Sequence, residues 1–224
     1  MKNIVYKKST FFLLGLICLC AGACKKSDSP YYDYVNTVQT FNGTAMDYLK
    51  AQPAGTFDSL LLVLDRYPAL KTSLTTEELT VFAPVNKNFQ AAIKYLNIAR
   101  KAQGKAPVYL ANADEIQLYE MLCKYIVKGK RTTDAYLNSA DGSLFDSIED
   151  YPMHIKYTKS SSAGYVKGGP AVLNFSDTKG SIFNIDWVTT TTNAVNIKTN
   201  NATINILSAV HNFGFDEFTN RLNN

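Results

Sequence analysis

The chain predicts an α+β fold: an N-terminal helical half packed against a twisted, mostly antiparallel sheet. Three observations carry this expectation. Ahead of residue 125 the apolar residues fall at helical spacing, as in Phe57, Leu60, Leu61 and Leu64 at i, i+3, i+4 and i+7. After residue 150 the period changes to two, with Met153, Ile155 and Tyr157 alternating with His154, Lys156 and Thr158. Within the helical half, Leu79 to Ala83 forms a polar-poor run stopped by Pro84, which suits a central strand covered on both faces.

Residues 1–23 read as a signal peptide. Lys2, Lys7 and Lys8 supply the positive start, and Phe11 to Leu19 an apolar stretch too short to span a bilayer comfortably. Ala21-Gly22-Ala23-Cys24 resembles a bacterial lipobox, with Ala21 where leucine is common. By that resemblance Cys24 is diacylated and becomes the new N-terminus; the alternatives are an ordinary secretory cut near Ala23 and an uncleaved anchor. Residues 24–41 then form a polar, lipid-anchored tether carrying Tyr31, Tyr32 and Tyr34. These tyrosines either pack along the domain edge or stack on sugar faces. They are the candidate binding residues, together with the stretch Asn97–Leu110.

The folded domain is expected over 42–220. Thr44 with Asp47 caps a first helix carrying Met46, Tyr48 and Leu49 inward. Thr56 opens a second, which Pro68 closes. Thr75 and Glu78 have capping-box spacing before the strand Leu79–Ala83. Asn86 is a favoured N-cap for the next helix, which carries Phe89, Ile93 and Leu96 inward and ends near Gly104. Asp114 to Lys124 gives another helix with Ile116, Tyr119, Leu122 and Cys123 inward. Strands follow at Tyr125–Lys128, Met153–Thr158 and Ala171–Phe175. Gly164 to Gly169 reads as a hairpin connection beside Tyr165-Val166, and Ile182–Thr192 and Ala194–Lys198 continue the sheet. In the last strand Ile204, Ile206, Ser208 and Val210 share one face.

Charge and cysteine usage exclude several classes. The formal charge is +4, but without the three leader lysines 20 basic residues face 19 acidic ones, and the lysines are scattered. No basic stripe points to nucleic acid. Cys18 and Cys20 sit in the leader, so Cys123 is the one internal cysteine left, a small buried hydrophobe in a domain large enough to need no disulfide.

Thr80-Val81-Phe82-Ala83-Pro84, with Asn86 and Phe89, resembles the first signature of the fasciclin-like domain family. Tyr125 and Gly129 match a second point, where Ile126 stands in place of a histidine. That Tyr-His pair is associated with adhesion in some animal members. Asn201 to Val210 resembles the closing signature, with Asn201, Ile204 and Val210 identical, and Ala202, Asn205 and Ser208 departing from it. The resemblance spans about residues 44–212 and leaves Asn97–Leu110 as an insertion. It implies a fasciclin-like wedge-shaped β-sandwich, and a non-enzymatic adhesion or binding module.

The search for chemistry supports that direction. His154 and His211 are the two histidines of the chain, and no Cys-x-x-Cys or Asp-rich calcium loop accompanies them, so no metal or cofactor is expected. His154 is expected on the outer face of its strand, and His211 to cap or pack after the last strand. No Gly-x-Ser-x-Gly elbow is present. The carboxylates Asp141, Asp146, Glu149 and Asp150 lie in turn-like sequence and are expected in solvent. Asp58-Ser59-Leu60 and Asp146-Ser147-Ile148 resemble a short acceptor motif for bacterial O-glycosylation. The expected function is a non-enzymatic envelope lipoprotein at the outer membrane, with membrane contact through Cys24 and an extracellular glycan or outer-membrane protein as partner. The alternative is an accessory glycan-capture lipoprotein of a polysaccharide-uptake complex.

Overall fold

The computed structural model describes residues 39–161 and 168–224. The leader, Cys24, Tyr31, Tyr32, Tyr34 and Tyr165-Val166 lie outside the described residues.

A two-residue strand, β1 (Gln39–Thr40), precedes helix α1 (Ala45–Ala51), where the expected cap is present. The Thr44 hydroxyl oxygen accepts from the Asp47 amide at 3.2 Å, and Asp47 accepts from the Thr44 amide at 2.9 Å. Helix α2 (Asp58–Leu64) is not opened by Thr56. Phe57 stands at its N-cap without a side-chain bond, and Asn86, from far along the chain, accepts from the Ser59 amide at 2.8 Å. Its inner face uses Val63 along with Phe57, Leu60 and Leu64.

Pro68 starts a helix rather than ending one. Its fixed φ and missing N–H suit the first turn of α3 (Pro68–Thr76), a helix that the run of threonines hid. Thr75 therefore lies inside α3 with its hydroxyl on the Lys71 carbonyl, and forms no capping box with Glu78. Strand β2 (Leu79–Ala83) is buried at every position. Helix α4 (Asn86–Ala102) begins at Asn86 itself; Asn88 accepts from the Val85 amide at 2.7 Å, which frees Asn86 to serve α2. In α5 (Glu115–Cys123), capped by Asp114, the buried face is Leu118, Met121, Leu122 and Cys123. Ile116, expected inward, is 66% exposed, because the stripe that meets the core runs through Leu118 and Met121 to Leu122 and Cys123 and leaves Ile116 off its edge.

The strands β3 (Ile126–Lys128), β4 (Ser143–Asp146), β5 (Pro152–Lys159), β6 (Ala171–Asp177), β7 (Val188–Lys198) and β8 (Ala202–Leu207) join β2 in the order β3-β2-β8-β7-β6-β5-β4. Most pairings are antiparallel; β2 with β8 and β1 with β7 are parallel. The two signature strands are direct neighbours, with Val81 opposite Ile204 and Ala83 opposite Ile206. Strand β7 is the hinge of the sheet. Val188–Thr191 pair with β6, Thr192–Lys198 pair with β8, and register shifts lie between Thr192 and Ile197. The ends of the sheet meet where Ser147 bridges Val127 and the Ile148 amide reaches the Ile126 carbonyl at 2.7 Å. The sheet is thus nearly a barrel. Phe82 and Phe175 stack across its interior at 3.8 Å between ring centroids. A short helix, α6 (Phe218–Leu222), ends the chain against α4 and α5.

Two further expectations fail locally. Ile182 to Trp187 is not strand but a loop with one 3-10 turn, because Ser181 offers the backbone other partners. The Ser181 hydroxyl takes the Phe183 amide at 3.1 Å and gives to Asp186 at 2.7 Å. Strand β8 stops at Leu207, so Ser208 and Val210 leave its face and Val210 is 92% exposed. Ser147, in one acceptor-like motif, is fully buried and bonds the Tyr151 amide.

Candidate binding site

Strand register assembles a polar surface on the outer side of β5, β6 and β7. Residues paired across neighbouring strands point to the same face. One such row is His154, Ser176 and Thr189, and the next is Lys156, Asn174 and Thr191. Their chain neighbours Ile155 and Phe175 point inward and are fully buried. The outer face is therefore a continuous field of hydroxyl, amide, ammonium and imidazole groups.

A wall rises along one side of this floor from the loop between β6 and β7. Trp187 is fixed there by its indole N–H on the Ser181 carbonyl at 2.8 Å, and its ring lies 4.6 Å from that of His154. Ile182, Phe183 and Ile185 on the same loop face solvent, at 87%, 64% and 86% exposure. Floor and wall enclose a trough of about 600 Å³, a volume typical of small-molecule sites. Asp141 also lines it, with its carboxylate 3.8 Å from the Lys156 ammonium.

His154 does lie on the outer face of its strand, as expected, but beneath a cover. Its Nε2–H donates to the Asp141 carbonyl at 2.8 Å, and Gly142 passes directly over the ring. A Cβ at Gly142, where φ is +82°, would come within 2.6 Å of the imidazole, so only glycine fits. Burial pushes the His154 pKa down, against the opposing bond to Asp141.

A second basin of about 330 Å³ adjoins the first at Thr189, bounded by Thr191, Val210, Asn212 and Asp216. His211 underlies it and packs after the last strand, as expected. The Tyr125 hydroxyl donates to His211 Nε2 at 2.7 Å and accepts from the Gly214 amide at 2.8 Å. Burial pushes the His211 imidazole down to about 4, with the Asp216 carboxylate pulling the other way. The same burial pushes the Tyr125 phenol well above its usual range.

A charged cluster braces the loops behind. Asp177 bonds Lys124 at 2.7 Å and Tyr151 at 2.6 Å, while Lys179 spans Asp177 and Glu217 at 3.2 and 2.7 Å. Burial alone would raise the Asp177 carboxyl, but its bonds from Lys124, Tyr151 and the Lys179 amide hold it below the ordinary range.

Among the sequence candidates, Cys24 and the three tyrosines lie outside the described residues. Part of Asn97–Leu110 is docked rather than free. Asn97 exchanges two hydrogen bonds with Val108, and Arg66 binds the carbonyl of the buried Leu110. The carboxylates Asp141, Asp146, Glu149 and Asp150 are exposed. Among the described residues no group of three or more His, Cys, Asp or Glu is placed to hold a metal ion. Sequence reasoning missed Lys156, Asn174, Ser176, Trp187, Thr189 and Thr191. Their signal was the polar phase of the β5 alternation and the run Thr189–Thr192 beside the chain's one tryptophan.

No family model matches the chain, and no curated protein matches it. Solved structures do match. One is the FAS1 domain pair from the insect cell adhesion molecule fasciclin I, 13% identical, with a TM-score of 0.46. The match covers 74% of this chain and 55% of that one, so the chain spans about half the length of that structure. At that distance the likeness carries neither family nor function.

Proposed function

We propose that the protein is a non-enzymatic binding or adhesion module of a bacterial envelope. On this reading lipid on Cys24 holds it at the outer membrane, and the near-barrel is a divergent fasciclin-like wedge-shaped sandwich. The three motif resemblances support the fold part, and the direct pairing of Val81 with Ile204 suits it. The lipobox-like Ala21 to Cys24 supports the anchor. Among the described residues no helix is long and apolar enough to cross a membrane.

The observation that carries the binding role is the trough, where a hydrogen-bonded loop raises the exposed Ile182 and Phe183 beside a polar floor, with Ile185 exposed on the same loop. Exposed apolar groups rimmed by polar ones mark contact surfaces. The partner is an extracellular glycan or an outer-membrane protein. Palmitate labelling and co-purification of the anchored full chain from membranes test the proposal together. Label and membrane retention lost in Cys24→Ala, with a partner retained by the wild type, are expected. Unchanged retention without label removes the anchor. Reproducible turnover of any substrate, abolished by His154→Ala or His211→Ala, overturns the non-enzymatic reading.

A second reading, an accessory glycan-capture lipoprotein of an outer-membrane polysaccharide-uptake complex, is favoured by the aromatic side chains beside the polar floor. Co-purification of a transport complex rather than an adhesion partner separates the two.

A further inference from the structure

We propose that the trough is a subsite for an uncharged oligosaccharide chain, held by Trp187 and Phe183 on one side and by the two strand rows beneath. This rests on the binding-module reading and names the ligand class. Sugars present both apolar C–H faces and rings of hydroxyls, so a site for them needs aromatic planes next to groups that both donate and accept. The trough has both. Trp187 is half-buried and locked by its Ser181 bond, which removes the cost of ordering it on binding. Asn174 and Thr189 offer amide and hydroxyl groups in the trough from adjacent strands, and Thr191 adds a hydroxyl in the adjoining basin, at spacings set by the sheet.

Charge argues against an ionic ligand. Lys156 and Asp141 stand 3.8 Å apart and offset one another, and His154 is covered by Gly142 and engaged by Asp141. Within the trough no excess positive charge is left to select a uronate or a phosphate, and Asp216 in the adjoining basin adds a carboxylate that repels one. Length argues for a chain rather than a single sugar, because the second basin continues the floor past Thr189 to Asn212 and Asp216.

The chain has one tryptophan, Trp187, so its intrinsic emission reports from the wall of the trough itself. The full-length protein in a polyoxyethylene detergent, whose headgroup carries no sugar, is titrated with cellohexaose, xylohexaose, mannohexaose and laminarihexaose. Oligogalacturonate serves as the charged counterpart. At least one neutral hexasaccharide is expected to shift the emission saturably, and its free monosaccharide is not. Phe183→Ala and Asn174→Ala are each expected to weaken that binding about tenfold, the equivalent of ~1.4 kcal/mol, with an unchanged circular dichroism spectrum.

Three results would overturn the inference. One is no response from any neutral hexasaccharide up to millimolar concentration. Another is a response only to oligogalacturonate that Lys156→Ala removes. The last is binding indifferent to both trough variants. A sugar-blind protein that still co-purifies with a membrane protein, and loses it on triple serine replacement of Ile182, Phe183 and Ile185, marks a protein interface: the inference fails and the binding-module reading stands.

Discussion

Acidification should destabilise the fold through one buried imidazole. His211 is 6% exposed, and its Nε2 accepts the Tyr125 hydroxyl proton while Gly214 donates to the same phenol oxygen. Protonating Nε2 sets a donor against a donor, and the Phe215 ring 4.8 Å away offers no compensating acceptor. The folded-state value of about 4, against 6.5 for the free side chain, gives the sign. Between these values the unfolded chain binds the proton and the folded protein does not, so stability falls as pH drops through that window. At 1.36 kcal/mol per unit the full loss is about 3 kcal/mol.

Urea denaturation of the full chain, followed by far-ultraviolet circular dichroism from pH 7.5 to 4.5, measures it. His211→Gln keeps an acceptor for Tyr125 and removes the titration, so its curve should be flatter than the wild type by most of that amount. His154, whose value is also lowered, contributes to both proteins and cancels. The lowered carboxylates Asp177 and Glu217 act elsewhere: their stabilisation is present above the ordinary carboxylate range and disappears below it. Parallel wild-type and His211→Gln curves would refute the reasoning.

Other perturbations read other parts of the fold. Asn86→Ala removes the oxygen that caps α2 from across the structure and should lower stability by about 1 kcal/mol in chemical denaturation. No change would mean that the Ser59 amide finds another partner. Phe82→Ala deletes one of two rings stacked inside the near-barrel and should cost about 3–5 kcal/mol by the same measurement. Asp177→Ala leaves the buried Lys124 without its nearest carboxylate and should cost about 3 kcal/mol or more. A loss well under 1 kcal/mol would show that Glu217 alone suffices for both lysines.

Much of the helical half was legible because its signals are local. Thr44 and Asp47 stand three residues apart and cap one helix, and the five residues of β2 are apolar enough to need cover on both faces. Where signals were shared between distant segments, reading failed. Asn86 sits where an N-cap belongs, yet its side chain serves α2, since Asn88 already satisfies the Val85 amide. Pro68 reads as a stop from the helix before it and as a start from the helix after it; only packing of Leu70 and Leu74 decides. Ile182 to Trp187 has strand composition, but the side chain of Ser181 competes locally and wins. The trough was not legible because it depends on register among three strands. A one-residue slip of β6 against β5 would send Asn174 and Ser176 inward and dissolve it.

The central proposal is that this outer face meets the partner. A photo-crosslinking residue at Thr189, where the two basins join, tests it in the full-length protein in its own cells. The same residue placed at exposed Thr75 on α3 is the control. The account predicts a discrete adduct from position 189 and none from position 75. Equal adducts from both positions, or an adduct from position 75 alone, would contradict it.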